Sequence, residues 1–401
     1  MFESINAGAT AMFAFARALN NISSNVANLN TAGYKRSAMG FQDLLVNQDA
    51  LLGYQGNGVG TGKSTTVLTQ GELRSSGNPL DAGVDGAGYF VVQGREGQLF
   101  TRDGAFDFNG AGMLVSRQSG LPVLAYTGGG SPTTLSIANA RGIAGVATTT
   151  IKFDGSLSTS DGDKSHTIGD IGLYDQLGVR HAASIVFADQ TDPTVSAINH
   201  SWNFTLTDDT NRQLATGQLV FGPDGSPQAG SDKFSFNWSP QGSVTQQVTL
   251  DFGDSGSFGG MTSFSVGTVS TAKLTSVDGS ASGSLSSTSF LQDGSLQAQY
   301  SNGQTRNLGQ LTLAFFAQPQ DLQQGEFNLL SYSGEAAPQL GRPGSGQFGI
   351  IGGGQIEASN VDLTQQFSEL IIIQRGFQGG SQILTAANEM LQQMMEAGGR
   401  R

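Results

Sequence analysis

A mainly β molecule closed at both ends by α-helices is the fold class this sequence predicts. Discontinuous β domains nest between an N-terminal and a C-terminal helix that pair as a coiled coil. Three observations predict it. Heptads run through the C-terminus from Val361 onward, and a shorter seam of the same kind occupies the N-terminus. The whole chain carries 58 glycines and only 13% charged residues, with abundant Ser, Thr, Gln and Asn. That composition suits turn-rich β structure with long polar faces.

The N-terminal helix is expected over residues 2–29. Ile5, Ala9, Met12, Ala16, Leu19, Ser23 and Val26 recur at alternating steps of four and three, one face of a helix. It stops in an Asn-rich stretch, Asn25, Asn28 and Asn30, followed by Thr31-Ala32-Gly33, where Asn and Gly tolerate left-handed backbone. Residues 1–30 and 358–401 together form the expected helical assembly domain. Residues 31–70, with Gly53, Gly56, Gly58, Gly60 and Gly62, read as an extended linker arm.

A discontinuous β domain is expected over 71–149 and 285–357. Short β-type runs occur at 89–92, 99–101 and 105–108, with Asp103-Gly104 as a turn pair, and again at 311–316, 329–332 and 348–351. Residues 150–284 read as an inserted outer β domain. There Val244, Gln246, Val248, Leu250 and Phe252 alternate with polar residues, giving one buried and one wet face. The nearly pure Ser, Gly and Thr stretch 276–289 reads as a return linker. This nesting places both helices on one side of the molecule.

In the C-terminal helix Leu363, Leu370, Phe377, Leu384 and Leu391 recur every seven residues. Phe367, Gln374, Ser381, Asn388 and Met395 lie four residues after each, so one row is polar at three consecutive positions. Gly376, Gly379 and Gly380 sit inside the helix, each costing about 1 kcal/mol relative to Ala. A seam this small and polar repays little of the ordering entropy. The two ends are therefore expected to order on assembly.

Several function classes are excluded or disfavoured. The formal charge of −12 disfavours nucleic acid, since phosphate neutralisation needs clustered cations. With no cysteine there is no disulfide scaffold, thiolate zinc site or cysteine nucleophile. No apolar run approaches the roughly 18 residues of a membrane span, so no membrane insertion is expected. Glu3 and Arg17 interrupt any signal-peptide pattern, so passage out of the cell would need a dedicated route. Asn57-Gly58-Val59-Gly60-Thr61-Gly62-Lys63-Ser64 nearly matches a phosphate loop, but Asn57 replaces its first glycine and a strand-like run follows. Gly253-Asp254-Ser255-Gly256 echoes a protease loop without a positioned histidine. Asp161-Gly162-Asp163 opens like a calcium loop but lacks its later glycine and glutamate. No catalytic constellation, cofactor or metal site is expected.

The ends carry a resemblance. Asn25, Ala27, Asn28, Asn30, Thr31, Gly33, Tyr34 and Lys35 form a motif similar to the N-terminal signature of bacterial flagellar rod and hook proteins. Ser359, Asn360, Val361 and Asp362, then Gln374 and Arg375, resemble its C-terminal partner. Gly88-Tyr89-Phe90-Val91-Val92 and Phe100-Thr101-Arg102-Asp103-Gly104-Ala105-Phe106 resemble the family's shared β domain. Ser24, where Asn is more usual, and Gly379-Gly380, where Ala-Asn is more usual, depart from the pattern.

The resemblance implies a non-enzymatic structural subunit of a hollow helical homopolymer, lined by the terminal helices, on the outside of the cell. Chain length and the inserted domain fit the hook branch, whose tube bends while passing torque from rod to filament. Its implied partners are copies of itself, the distal rod, the hook cap, hook–filament junction proteins and the flagellar type III export apparatus. A stiff distal rod subunit is the alternative within the family. A secreted β-rich adhesin or glycan-binding module is the alternative outside it.

Overall fold

The computed structural model describes residues 2–46, 55–162, 164–190, 200–240, 244–264 and 269–398. Asp163 of the calcium-like turn lies outside them. The chain divides into two compact units. The first comprises residues 1–139, 287–298 and 306–401; the second comprises 140–286 and 299–305.

The first unit begins with helix α1 (Phe2–Ala27) and ends with helix α2 (Leu363–Gly398), which pack against each other. α2 starts where it does because Asp362 caps it, its carboxylate accepting the N–H groups of Thr364 at 2.8 Å and Gln365 at 3.2 Å. Residues 31–70, expected as an extended linker arm, carry paired strands. Phe41–Val46 and Gln55–Thr61 form an antiparallel hairpin, and Ser37–Ala38 pairs with Thr65–Thr66. The hairpin lies on α1, with Phe41 and Phe15 rings 5.4 Å apart and Arg17 donating to the Thr61 hydroxyl at 3.1 Å. Alternating glycines thin one strand face enough for a helix to approach it, a role that composition alone does not separate from flexibility.

The centre of the unit is a six-stranded sheet in the order 322–324, 330–332, 98–101, 89–93, 313–315, 339–341. Tyr89–Gln93 is apolar at consecutive positions because both faces of this sheet are covered. Tyr89 and Val91 join Phe100, Phe316 and Leu330 on one side; Phe90 and Val92 join Phe106, Leu296 and Leu313 on the other.

Among the described residues, the regular structure of the second unit is β apart from one short 3-10 turn at Ala138–Ala140 where the chain enters it. Four antiparallel strands, Ser165–Tyr174, Arg180–Asp189, His200–Asp208 and Gln213–Phe221, form one sheet. Thr150–Ser158 runs through a second sheet, parallel to both Gln246–Asp251 and Met261–Phe264 and antiparallel to Lys273–Val277. Their inward residues make one core that includes Phe153, Phe187, Trp202, Phe204, Leu250 and Phe252. Gln246 lies on that buried face, its amide donating to the Tyr174 carbonyl at 3.0 Å. The Ser-rich stretch expected as a return linker is largely strand, since Lys273–Val277 and Gly283–Phe290 both pair. Small hydroxylated side chains suit the exposed face of a strand as well as they suit a loop.

Candidate assembly site

Two features of the first unit stand out: a buried polar joint that ties the chain ends together, and uncovered apolar side chains on the helices. The joint is built from residues on both sides of the β domain. Gly33 turns the chain off α1 with φ +68°, and a Cβ there would lie 2.4 Å from the Asp103 backbone nitrogen. The Gly33 N–H donates to the Glu357 carbonyl at 2.8 Å, so the N-terminal segment is clipped to the strand that leads to α2.

That turn delivers Lys35 into the interior. Its ammonium contacts the Glu357 carboxylate closely and donates to the Thr69 carbonyl at 2.8 Å. The other Glu357 oxygen receives Arg102 at 3.2 Å, and the Gly71 N–H reaches the first at 2.8 Å. Glu357 is wholly buried; Lys35 and Arg102 are nearly so. The guanidinium of Arg102 also donates to the Gly86 carbonyl at 2.9 Å and lies 4.9 Å from the centre of the Tyr89 ring. Two cations thus share one carboxylate, and peptide carbonyls accept from the Lys35 ammonium and the two terminal Arg102 nitrogens, while the buried Arg102 Nε has no partner among the described residues. Burial pulls the Lys35 ammonium below its ordinary pKa, opposed by the Glu357 charge. Burial likewise pushes Asp103 up to about 6 against the pull of the Ala105 N–H and Arg117.

Two amides complete the joint. Asn25, buried on α1, donates to the Gln366 side-chain carbonyl of α2 at 2.9 Å and to the Ser37 carbonyl at 2.9 Å. Its own oxygen accepts the Ser37 N–H at 2.9 Å and the Tyr34 hydroxyl at 3.2 Å. Asn360 accepts the Arg36 N–H at 2.7 Å and donates to the Val67 carbonyl at 2.8 Å. It thereby bridges the residues flanking the paired strands Ser37–Ala38 and Thr65–Thr66.

Most signature residues therefore converge here or shape the approach. Asn28 returns to the Ser24 carbonyl at 2.9 Å and Thr31 to Asn28 at 3.1 Å, closing the end of α1. Val361 is buried, and Ser359 accepts its N–H at 3.4 Å. Ala27, Asn30, Gln374 and Arg375 are exposed and take no part. Arg102 and Glu357 stand inside family-like segments without a role of their own, and Gln366 is not singled out in the sequence. The available signal was their charge or polarity inside apolar or glycine-rich runs of a chain with few charges.

The helix seam differs from the expected one. Ile5, Ala9, Met12, Ala16, Leu19 and Val26 are half-buried, while the fully buried positions of α1 are Gly8, Ala14, Ala18, Ile22 and Asn25. On α2 the buried heptad is Gln366, Ile373, Gly380 and Ala387, one residue before the row that begins at Phe367. Leu370, Leu384 and Leu391 flank it half-buried; Leu363, Phe367 and Phe377 are exposed. The shift has a steric cause. α2 is apolar at 370–373 around most of a turn, so several faces fit a heptad, and the one that lets α1 approach closely is the one with small residues. At Gly376 a Cβ would stand 2.4 Å from the Phe15 ring. The bulky residues are left outside: Phe367 is 50% exposed, Ile372 68% and Met395 77%. On α1, Phe13 is 73% exposed.

Residues of the motifs set aside above lie elsewhere. Lys63 and Ser64 fall between two strands with no helix after them, unlike a phosphate loop. Asp254 is an exposed partner of Lys233.

Residues 5–35 match a family model described as flagella basal body rod protein. Residues 83–164 match the flagellar hook protein FlgE/F/G D1 domain, and residues 353–397 the flagellar basal body rod FlgEFG protein C-terminal. The chain belongs to the flagellar rod and hook protein family. Within that family it is similar to the flagellar hook protein FlgE of Treponema pallidum (strain Nichols), at 29% identity over 98% of each chain. It is 27% identical to that of Escherichia coli (strain K12), over 93% of this chain and 94% of the relative. The crystal structure of Helicobacter pylori flagellar hook protein FlgE2 shares the fold, with a TM-score of 0.50 and 12% identity over 71% of this chain and 98% of that one. The family is structural rather than enzymatic, and its assembly within the flagellum is homopolymeric.

Proposed function

We propose that the chain is a structural subunit of the flagellar hook that polymerises through its terminal helices into a hollow, bendable tube. The observation that carries this reading is the set of uncovered apolar side chains on α2, Phe367 and Ile371 on one face and Ile372, Ile383 and Met394 on another. A helix pair that buries its small residues and exposes its large ones is unfinished as a monomer. Each such side chain contributes about 1.5–3 kcal/mol when a neighbour covers it. The buried joint then links helix packing to the β domain, so that force on the helices passes through Lys35, Arg102 and Glu357. Copies of the chain supply the covering surface. The distal rod, hook cap, junction proteins and flagellar type III export apparatus are the further partners of this reading.

Electron microscopy of concentrated protein tests it. Intact chain should form hollow tubes, and chain lacking residues 1–27 and 363–401 should not; tubes formed equally by both would end the proposal.

A further inference from the structure

A groove of about 950 Å³ crosses the first unit beside the C-terminal half of α1. Two of its walls are strand edges. One is Leu322–Gln324, the end strand of the six-stranded sheet; the other is Thr65–Thr66, which pairs with Ser37–Ala38 alone among the described residues. Hydrogen bonds from the Ser333 N–H to Asp321 and from the Gly325 N–H to Leu329 place the ladder on odd-numbered residues. Antiparallel ladders alternate, so the peptide groups of Leu322 and Gln324 turn away from the sheet. The Leu322 N–H is taken by the Pro319 carbonyl, so the outward groups offered to a partner are the Leu322 carbonyl and those of Gln324. Across the groove, the bond from the Val67 N–H to the Arg36 carbonyl sets the parity that turns Thr66 outward.

The mouth of the groove is strained. Phe327 and Asn328 sit at φ 55° and 57°, left-handed backbone that residues with a Cβ adopt at a cost. Asn328 is held there by its amide, 3.3 Å from the Ala32 carbonyl, while the Phe327 ring is 54% exposed at the rim. Two strand edges facing one polar trough, with an aromatic ring held over it, fit main-chain recognition of an extended peptide.

We infer that the groove receives an extended segment of a second copy of this chain by strand addition. The occupant is a second copy because the trough is walled by Asn21, Ser24 and Asn28 of α1, the helix whose exposed face enters the polymer. A groove on one subunit filled by a different surface of the next is a heterologous contact, which generates open helical assemblies rather than closed dimers. The inference rests on the homopolymer reading above.

The chain has no cysteine, so Gln323→Cys installs its single thiol in the groove wall. Maleimide labelling of this variant should be at least 10-fold slower in tubes verified by electron microscopy than in monomer. Gln324→Pro is a second variant, since an edge strand tolerates proline but the residue cannot donate to an added strand. It should leave monomer melting unchanged and slow tube elongation by at least 10-fold. Equal labelling in tubes and monomer, or unimpaired elongation of the proline variant, overturns strand addition and leaves the homopolymer reading standing. Failure of the intact chain to form tubes overturns both.

Discussion

Lys35 and Glu357 stand 322 positions apart in sequence and share a buried contact in the interior of the first unit. Each is expensive to bury alone. Their pairing, with Arg102 on the second carboxylate oxygen, makes the joint of α1 and α2 to the β domain all-or-none.

Removing the shared anion should therefore be severe. Glu357→Gln strands two buried cations and should destabilise the first unit by about 3–5 kcal/mol. Both tryptophans, Trp202 and Trp238, belong to the core of the second unit. In urea, the far-ultraviolet circular dichroism transition of the first unit should move to lower denaturant while the tryptophan fluorescence transition stays in place. A shift in fluorescence alone would contradict the assignment.

Asp103 sets a pH dependence of opposite sign to that of a salt-bridged carboxylate. Its folded pKa of about 6 exceeds the ordinary 3.8, so the folded state binds more protons between those values. Its stabilising effect is complete below pH 3.8 and lost as pH rises through 6. Asp103→Asn should stabilise the first unit at pH 7–8, on the order of 2–3 kcal/mol at about 1.4 kcal/mol per unit. Denaturation followed from pH 4 to pH 8 checks it; an unchanged slope between 4 and 6 would count against the burial argument.

The helix glycines should separate by their surroundings. At Gly379 a Cβ would meet nothing, so Gly379→Ala should gain up to about 1 kcal/mol of helix propensity. At Gly376 the same change drives a methyl into the Phe15 ring and should loosen α1 from α2. Hydrogen exchange across both terminal segments reads this. In dilute monomer those segments should exchange faster in Gly376→Ala, and slower in Gly379→Ala, than in the native chain.

Assembly and monomer stability should also separate along α2. Phe367→Ser and Ile372→Ser alter exposed positions and should leave monomer melting within about 0.5 kcal/mol while abolishing tube formation. Ile373→Ala removes a side chain packed with Ala18 and Ile22 and should cost about 2–5 kcal/mol in the monomer. Sedimentation under polymerising conditions, beside thermal melting, distinguishes the two classes.

A chain lacking residues 140–286, bridged by a short Gly-Ser linker, should still give tubes, but straight ones. Polar, weakly charged faces such as those of the second unit permit several packings close in energy, which bending requires. Curved tubes from the deletion would remove that role.

By itself the sequence determined the element types, the two helical ends and the family. Periodicity, turn pairs and signature motifs are local properties, and each survives in a linear string. It singled out Asn25, Tyr34, Lys35 and Asn360, but not what they touch. Tertiary structure decided the rest. Glu357 became the hub of the joint because the fold carried it to Lys35 and Arg102, and no local pattern encodes a contact across the whole chain. The glycine-rich segment after α1 became a hairpin because a helix was there to cover it. The heptad register was settled by steric fit: α2 offers more than one apolar face, and α1 took the one small enough for close approach.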